Sequence, residues 1–183
     1  MTFTSFGCRK EKNFVISQKY IIVLNNMKTQ LTITELTKED LVNLFSTAFY
    51  GSNYLSADYE ETIEYNEEDC HEEILAEILL HGGAIKVTDS YADGCHYGNL
   101  KYQYNEDYDA TYYVTLEDIK KGLEKAANGT FNLRQEVSAD FADGNKEFAR
   151  RSFNAFAFDE REWDALTADC LMQIILFDEI VYG

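Results

Sequence analysis

The sequence Lys28-Thr-Gln-Leu-Thr-Ile-Thr34, followed by Thr37-Lys-Glu-Asp-Leu-Val-Asn-Leu-Phe-Ser-Thr-Ala-Phe-Tyr-Gly51, predicts a strand and then a helix. Apolar and polar residues alternate in the first stretch, as in a strand with one buried face. In the second stretch, Thr37 and Asp40 have the spacing of an acidic capping box, and Gly51 is a typical helix stop. One stripe of this helix is apolar and should face the core: Leu41, Leu44, Phe45, Ala48 and Phe49.

Strands and a second helix are predicted further along the chain. The helix, near Glu67–Leu80, ends at His81-Gly82-Gly83 and divides into two faces. We expect Ile74, Leu75, Ile78 and Leu79 to point inward and Glu67, Glu68, Glu72 and Glu73 to point outward. The stretch Ala84–Asp89 predicts a strand, and the Gly- and Tyr-rich stretch Tyr91–Tyr113 predicts turns with one or two strands forming a hairpin.

A second capping box, Thr115-Leu-Glu-Asp118, predicts the start of a third helix, which should end at Asn128-Gly129. Its apolar stripe is Leu116, Ile119, Leu123 and Ala126. Gly122 inside this helix costs about 1 kcal/mol relative to alanine. We therefore expect a neighbouring backbone to approach closely at Gly122.

The last third of the chain is predicted to be mainly helical. We expect a loop over Thr130–Asn145, with a mobile tip at Asp143-Gly144, and then a helix over Lys146–Phe158. That helix carries Ala149, Phe153 and Phe156 on one face. A final helix over Glu160–Phe177 is expected behind a cap formed by Asp159 and Glu162, and it should bury Trp163, Leu166, Cys170, Leu171 and Ile174.

Ile180-Val181-Tyr182 is expected to end the chain as an edge strand. The chain has no proline and no internal repeat, so nothing in it marks a second domain. The predicted fold class is α+β: a small, mainly antiparallel sheet packed by four to five helices in a single domain.

The first 26 residues differ in charge from the rest of the chain. Residues 1–26 carry a net charge of +3, whereas residues 27–183 carry −20. We expect residues 1–26 to be a basic N-terminal extension outside the fold, with the natural product starting at Met27 and forming an α+β domain over residues 27–183. The alternative is a basic arm that binds the acidic face and is weakened by salt.

Cysteine usage and hydropathy indicate a cytoplasmic protein. No apolar run approaches the ~18 residues that span a bilayer, and no signal-peptide segment is present at the N-terminus. Four cysteines lack short paired spacing, which favours free thiols that act as packing residues over a disulfide framework: Cys8, Cys70, Cys95 and Cys170.

The most unusual feature is the stretch Asp58–Glu73, which holds nine carboxylates in sixteen residues and no Lys or Arg. These carboxylates are Asp58, Glu60, Glu61, Glu64, Glu67, Glu68, Asp69, Glu72 and Glu73. Such a charge repels nucleic acid, because phosphate binding requires Lys and Arg, and it attracts basic protein surfaces. A solvated face that only aids solubility is the simpler interpretation.

Motifs for metal binding and catalysis are weak. Cys70-His71 and Cys95-His96 could supply four zinc ligands, but adjacent residues rarely reach one ion. Asp107, Asp109, Thr111 and Asp118 match part of a calcium loop that lacks its turn glycine, since Tyr112 stands at the sixth position.

Pairs such as Cys95 or Ser90 with His81 or His96 are mere co-occurrence, and no phosphate-binding or dinucleotide motif is present. We therefore predict no catalytic residue, no metal and no cofactor. An enzyme acting on a small molecule stays an open alternative, since a pocket is not visible in a sequence.

Three segments resemble an uncharacterised family of small proteins from phages, prophages and gut-bacterial mobile elements: Asp40–Tyr54, Thr115–Leu123 and Ala168–Gly183. The resemblance covers most of Met27–Gly183. Its most specific part is the ending Ala168–Gly183, in which Asp178 replaces an expected glycine. The resemblance carries no activity. It implies an accessory role in a mobile element, where some acidic proteins mimic DNA.

These observations predict a non-enzymatic accessory protein that binds a basic host protein surface as a DNA mimic of the anti-restriction or anti-CRISPR type. The expected partner is a host DNA-binding protein or nuclease, with no direct contact to nucleic acid or membrane. The partner-binding residues would be the nine carboxylates together with Tyr91 and Tyr97, since tyrosine is enriched at interfaces. The alternative is a self-assembling module, a homo-oligomer formed through the C-terminal helix and edge strand.

Overall fold

A computed structural model describes residues 12–15, 19–25, 28–60, 69–133 and 139–182. The chain divides into two units, Met1–Glu35 and Leu36–Gly183. In the first unit, β1 (Lys12–Val15), β2 (Tyr20–Asn25) and β3 (Lys28–Ile33) form an antiparallel sheet in that order. The predicted strand at Lys28 is confirmed.

The predicted domain boundary after residue 26 falls between two paired strands, because Asn25 is the register partner of Lys28. The boundary between the two units lies after Glu35. That one domain spans residues 27–183 stays a prediction. That the segment before Met27 is extraneous to the natural product stays a prediction.

The second unit is an α+β domain, as predicted. Its described residues form the following elements in chain order: α1 (Lys38–Gly51), β4 (Leu55–Asp58), α2 (His71–Leu80), β5 (Ala84–Asp89), β6 (Tyr102–Tyr104), β7 (Ala110–Thr115), α3 (Leu116–Asn128), α4 (Ala139–Phe158) and α5 (Ala165–Phe177). The four described strands make one antiparallel sheet in the order β4-β5-β7-β6. The hairpin expected in Tyr91–Tyr113 is β6 and β7.

Helix α5 is the centre of the core. It is apolar on nearly all sides and packs against α1, α3 and α4, with every residue from Thr167 to Phe177 buried except Asp169. Close packing against α3 requires a glycine. A Cβ on Gly122 would lie 2.6 Å from the Cα of Ile175, which confirms the predicted close approach.

Capping motifs in the sequence predict the starts of two helices correctly. The Thr37 and Thr115 capping boxes both form, and Gly129 ends α3 with a φ of +63°. Gly51 is the last residue of α1, as predicted. It is not a helix-stop glycine of the usual kind, however, because the residue that follows it is extended. A Cβ on Gly51 would lie 2.4 Å from the Cβ of Ala165, so its role is to let the start of α5 approach.

Three predicted helix starts are wrong. Helix α2 begins at His71, not near Glu67, because Glu73 accepts a 3.0 Å hydrogen bond from the Cys70 N–H. Helix α4 begins at Ala139, so the expected mobile tip at Asp143-Gly144 lies within a helix. Helix α5 begins at Ala165 behind a capping box of Asp164 and Thr167.

The late start of α5 changes the environment of its first turn. The expected cap residue Asp159 belongs to a turn closed by the Glu162 N–H, and Leu166 is 62% exposed instead of buried. Ile180–Tyr182 is not a strand: the backbone N–H groups of Val181 and Tyr182 both donate to the side chain of Gln173. Asp178 adopts φ +56°, the left-handed conformation that a glycine at this position would favour.

Candidate functional site

The structure brings the two ends of the acidic stretch together. The His71 imidazole lies 3.0 Å from the Ala57 carbonyl oxygen, and the rings of Tyr59 and His71 are 5.6 Å apart. The end of β4 therefore lies beside the start of α2. We call the described carboxylates at this place the acidic edge: Asp58, Glu60, Asp69, Glu72 and Glu73. The other four predicted binding residues, Glu61, Glu64, Glu67 and Glu68, lie outside the described residues.

The acidic edge is not uniformly exposed. Asp58 and Glu60 are exposed, whereas Asp69, Glu72 and Glu73 are half-buried. Glu73 also has a structural role, since the hydrogen bond from the Cys70 backbone N–H lowers the pKa of its carboxyl. The four remaining carboxylates are the better candidates for partner contact.

The two lysines near the acidic edge are already paired. Lys38 forms a 3.0 Å ion pair with Glu77, and Lys86 lies 3.5 Å from Glu60. The hydrogen bond to Glu77 raises the pKa of Lys38, and the charges of Asp69 and Glu73 add to the effect. No other Lys or Arg occurs in the sequence between Lys38 and Lys101. The edge therefore keeps an excess of negative charge.

Tyr91 and Tyr97 are placed in an aromatic cluster around Tyr182. Tyr91 stacks on Tyr54 with ring centroids 5.2 Å apart, and Tyr97 meets the rings of Phe177 and Tyr182 edge-on. The Tyr97 N–H donates to the Tyr112 hydroxyl. Both residues therefore help to pack the domain. Tyr91 also retains an exposed face, with 51% of its surface accessible.

Two carboxylates within this region escaped sequence analysis. Asp89 is fully buried, accepting 2.9 Å hydrogen bonds from the Tyr182 hydroxyl and the Tyr91 N–H. Asp169 accepts from the Tyr54 hydroxyl at 2.6 Å and from the Gln173 amide at 2.7 Å. Asp89 continues the inward alternation of Ile85 and Val87, a signal that could have identified it as buried. The position of Asp169 depends on contacts distant in sequence.

Burial raises several pKa values in this cluster. Desolvation raises the pKa of Asp89 above its ordinary value, although the hydrogen bonds from the Tyr91 N–H and the Tyr182 hydroxyl oppose the change. Burial also raises the pKa of Tyr112 to about 12 and strongly raises that of Tyr54, to which the Asp169 carboxylate contributes. Both tyrosines therefore stay neutral at physiological pH; the Tyr54 hydroxyl donates to Asp169, and the Tyr112 hydroxyl accepts from the Tyr97 N–H.

Asp89→Asn tests the cost of this buried charge. Asparagine has the same shape: its Oδ1 can accept from the Tyr91 N–H, and its amide N–H can donate to the Tyr182 hydroxyl if that hydrogen bond reverses direction. At neutral pH we therefore expect the variant to be as stable as the wild type or more stable. The native pKa of Asp89 is raised, so the wild type is favoured below the unfolded value of about 4 and loses this advantage as pH rises. The difference in unfolding free energy should therefore shift toward the wild type on acidification. Urea unfolding at several pH values measures it, and a pH-independent difference would contradict the raised pKa.

A groove of about 380 Å³ lies at the C-terminal end of the domain. Its apolar lining includes Phe141, Phe148, Leu166 and Val181, and its polar lining includes Asp169 and Gln173. We call it the C-terminal groove. All of these residues belong to α4, α5 or the segment that follows α5.

Within the described ranges, no group of three or more metal-binding side chains could hold an ion. Cys70 caps α2 and His96 stacks on Tyr102, with centroids 3.9 Å apart. The predicted free thiols are confirmed for Cys70, Cys95 and Cys170, whereas Cys8 lies outside the described residues. Of the three, only Cys170 is a buried packing residue, and its burial raises the pKa of the thiol to about 12.

No helix in the described ranges is both long and apolar enough to cross a membrane. Comparison of the chain with protein-family models, curated proteins and solved structures finds no match.

Proposed function

We propose that this protein is a non-enzymatic binding protein whose acidic edge docks on a basic surface of another protein. The observation that carries the proposal is the convergence of β4 and α2, which gathers carboxylates where both neighbouring lysines are already paired. Adding a cationic partner offsets the self-repulsion of such a cluster. Long-range attraction of this kind mainly increases the association rate, and it favours positively charged partners over negatively charged ones.

The proposed partner is a DNA-binding protein or nuclease of a bacterial host. A groove that accepts duplex DNA has to match about one negative charge per 1.7 Å of helix axis, so it carries a dense array of Lys and Arg. The acidic edge carries negative charge, as DNA does, so its charge suits such a groove. A relation to proteins of phages and mobile elements, which the sequence analysis predicts, would favour this class of partner over an unrelated basic protein.

The alternative of self-assembly through the C-terminus has less support. Helix α5 is the core helix, so its apolar residues are already covered by this chain. The segment Ile180–Tyr182 is held by Gln173 and is not an edge strand. Neither of the two predicted elements therefore offers the surface that this alternative requires.

A four-site variant tests the proposed function. The edge variant carries Asp58→Asn, Glu60→Gln, Asp69→Asn and Glu72→Gln, and it leaves the capping residue Glu73 intact. We expect it to lose host proteins that the wild type retains at low salt, with affinity at least about tenfold weaker, because short-range charge pairs are removed. At ~0.5 M salt the wild type should lose the same proteins, since the screening length falls well below 10 Å.

A charge-matched variant provides the control. It neutralises four exposed carboxylates elsewhere: Glu106→Gln, Asp107→Asn, Asp140→Asn and Glu160→Gln. It has the same net charge as the edge variant and should keep the partner. Duplex DNA should displace the retained protein from the wild type. Equal retention by the edge variant, or retention that DNA and salt leave unchanged, would refute the proposal.

A further inference from the structure

We propose that the C-terminal groove binds a small organic cation, an ammonium group on an apolar body. This inference is independent of the proposed function, because the groove and the acidic edge share no residue. Its volume of about 380 Å³ lies at the small end of the ~300–1,000 Å³ typical of ligand sites, which fits a single ring with a short chain.

The charge of Asp169 determines the sign of the ligand. Its two oxygens accept hydrogen bonds from a tyrosine hydroxyl and from a glutamine amide, which are both neutral donors. A carboxylate has about four acceptor sites, so the two hydrogen bonds leave room for an ammonium group. Glu179 is a second carboxylate of the lining, and none of the described lining residues is Lys, Arg or His. A cationic ligand would therefore meet a half-buried anion whose hydrogen-bond partners leave its charge uncompensated.

The neighbours of Asp169 hold it in place before any ligand arrives. Tyr54 is 8% exposed and Gln173 is 1% exposed, so the groups that orient the carboxylate are themselves fixed by packing. Preorganisation of this kind reduces the entropy lost on binding.

The rest of the lining suits an apolar ligand body. Phe141 and Leu166 are 59% and 62% exposed, and together with Phe148 and Val181 they offer apolar surface next to the carboxylate. Covering this surface is favourable by the hydrophobic effect. A fatty acid would also cover it, but its carboxylate would be repelled by Asp169. A neutral ligand would cover Asp169 without bringing a positive charge to it.

The test compares three probes of similar shape with the full-length protein: protonated phenethylamine, neutral 2-phenylethanol and anionic 3-phenylpropanoate. We expect millimolar or tighter binding of the amine, as is usual for a ligand of this size. Its affinity should exceed that of the alcohol by at least about tenfold, and the anion should bind less tightly than either. Protein NMR titration measures all three and shows whether the shifted signals belong to the groove.

Two variants, each with a matched control, assign the effect to the groove. Asp169→Asn should reduce amine affinity to that of the alcohol, whereas Asp107→Asn, which removes one exposed charge outside the groove, should preserve the preference for the amine. Leu166→Lys places a competing cation at the exposed edge of the groove. It should weaken amine binding at least about tenfold relative to the neutral variant Leu166→Gln. Both changes at Leu166 affect an exposed side chain, so this pair remains informative even where Asp169→Asn unfolds the domain.

The proposal fails if the amine and the alcohol bind equally, or if the amine does not bind at millimolar concentration. It also fails if Asp107→Asn and Asp169→Asn weaken the amine alike, since that result would show diffuse attraction to an acidic chain. Equal amine affinities of Leu166→Lys and Leu166→Gln would likewise overturn it.

Discussion

Replacing Gly98 with alanine is expected to lower the free energy of unfolding by about 2–5 kcal/mol, the sum of backbone strain and overpacking. Gly98 has φ +72°, a conformation that residues with a Cβ rarely adopt. A Cβ at this position would also lie 2.8 Å from the Leu176 carbonyl oxygen and 2.8 Å from the Phe177 carbonyl carbon. Both contacts are with backbone at the end of the core helix, so a rotamer change does not relieve them. Urea unfolding followed by circular dichroism measures the loss.

Two other glycines separate the contributions to this effect. Gly82 has φ +84° with open space around it, so Gly82→Ala should cost only the roughly 1–2 kcal/mol of the left-handed conformation. Gly144 lies inside α4 in open space, and Gly144→Ala should stabilise the protein by about 0.5–1 kcal/mol. A loss at Gly98 no larger than the loss at Gly82 would show that the loop before β6 does not press against α5.

The helix starts show where sequence reasoning succeeds. The Thr37 and Thr115 capping boxes use groups three residues apart, and both could be predicted because their hydrogen bonds are local. For α5 the sequence predicts a cap of Asp159 and Glu162, whereas the structure uses Asp164 and Thr167, a pair with the same three-residue spacing. Local spacing does not choose between them.

Tertiary structure selects Asp164 as the cap of α5. The indole N–H of Trp163 donates to the side chains of Asn43 and Thr47 on α1, at 3.1 and 2.9 Å. These contacts hold Trp163 in the non-helical segment just before α5. They join residues more than a hundred positions apart, so no pattern within the final helix could have indicated them.

The two candidate sites also combine features that can be predicted locally with features that depend on long-range contacts. The charge of the acidic stretch is a property of composition and could be predicted directly. Its convergence into an edge depends on β4, a strand that the sequence did not reveal, and on the contact between His71 and Ala57. The C-terminal groove depends on Asp169 and Gln173. In the sequence these two residues look like ordinary polar positions of a helix. Their roles follow from contacts with Tyr54 and with the segment after α5, which the sequence does not show.

Replacing Gln173 with methionine is expected to release the segment after α5 and to lower the free energy of unfolding by about 2–4 kcal/mol, because several half-buried polar groups lose their partners at once. The Gln173 carbonyl oxygen accepts from the N–H groups of Val181 and Tyr182, each at 2.7 Å. Its amide nitrogen donates to Asp169 at 2.7 Å and to the Tyr182 carbonyl oxygen at 2.9 Å. Methionine has a similar length but forms none of these hydrogen bonds.

Hydrogen exchange should show faster exchange at the Val181 and Tyr182 amides, and urea unfolding gives the loss of stability. The matched control is Gln103→Met on the exposed face of β6, which should change stability by no more than about 0.5 kcal/mol. A Gln173→Met protein with unchanged exchange at Val181 and Tyr182 would mean that other contacts hold the segment.

Gln173→Glu separates the acceptor role of this side chain from its donor role. Glutamate keeps an oxygen for the two N–H groups, but its second oxygen replaces a donor that lies 2.7 Å from Asp169. Two carboxylates this close retain a proton between them, so the native pKa of the pair rises above the unfolded values of about 4. Stability is then present at acidic pH and is lost as pH rises through the raised native pKa. The single proton does not replace the hydrogen bond to the Tyr182 carbonyl oxygen. We therefore expect Gln173→Glu to lie between the wild type and Gln173→Met near pH 5 and to fall to Gln173→Met stability near pH 8. A deficit that stays constant over this range would show that Asp169 and residue 173 do not share the short contact.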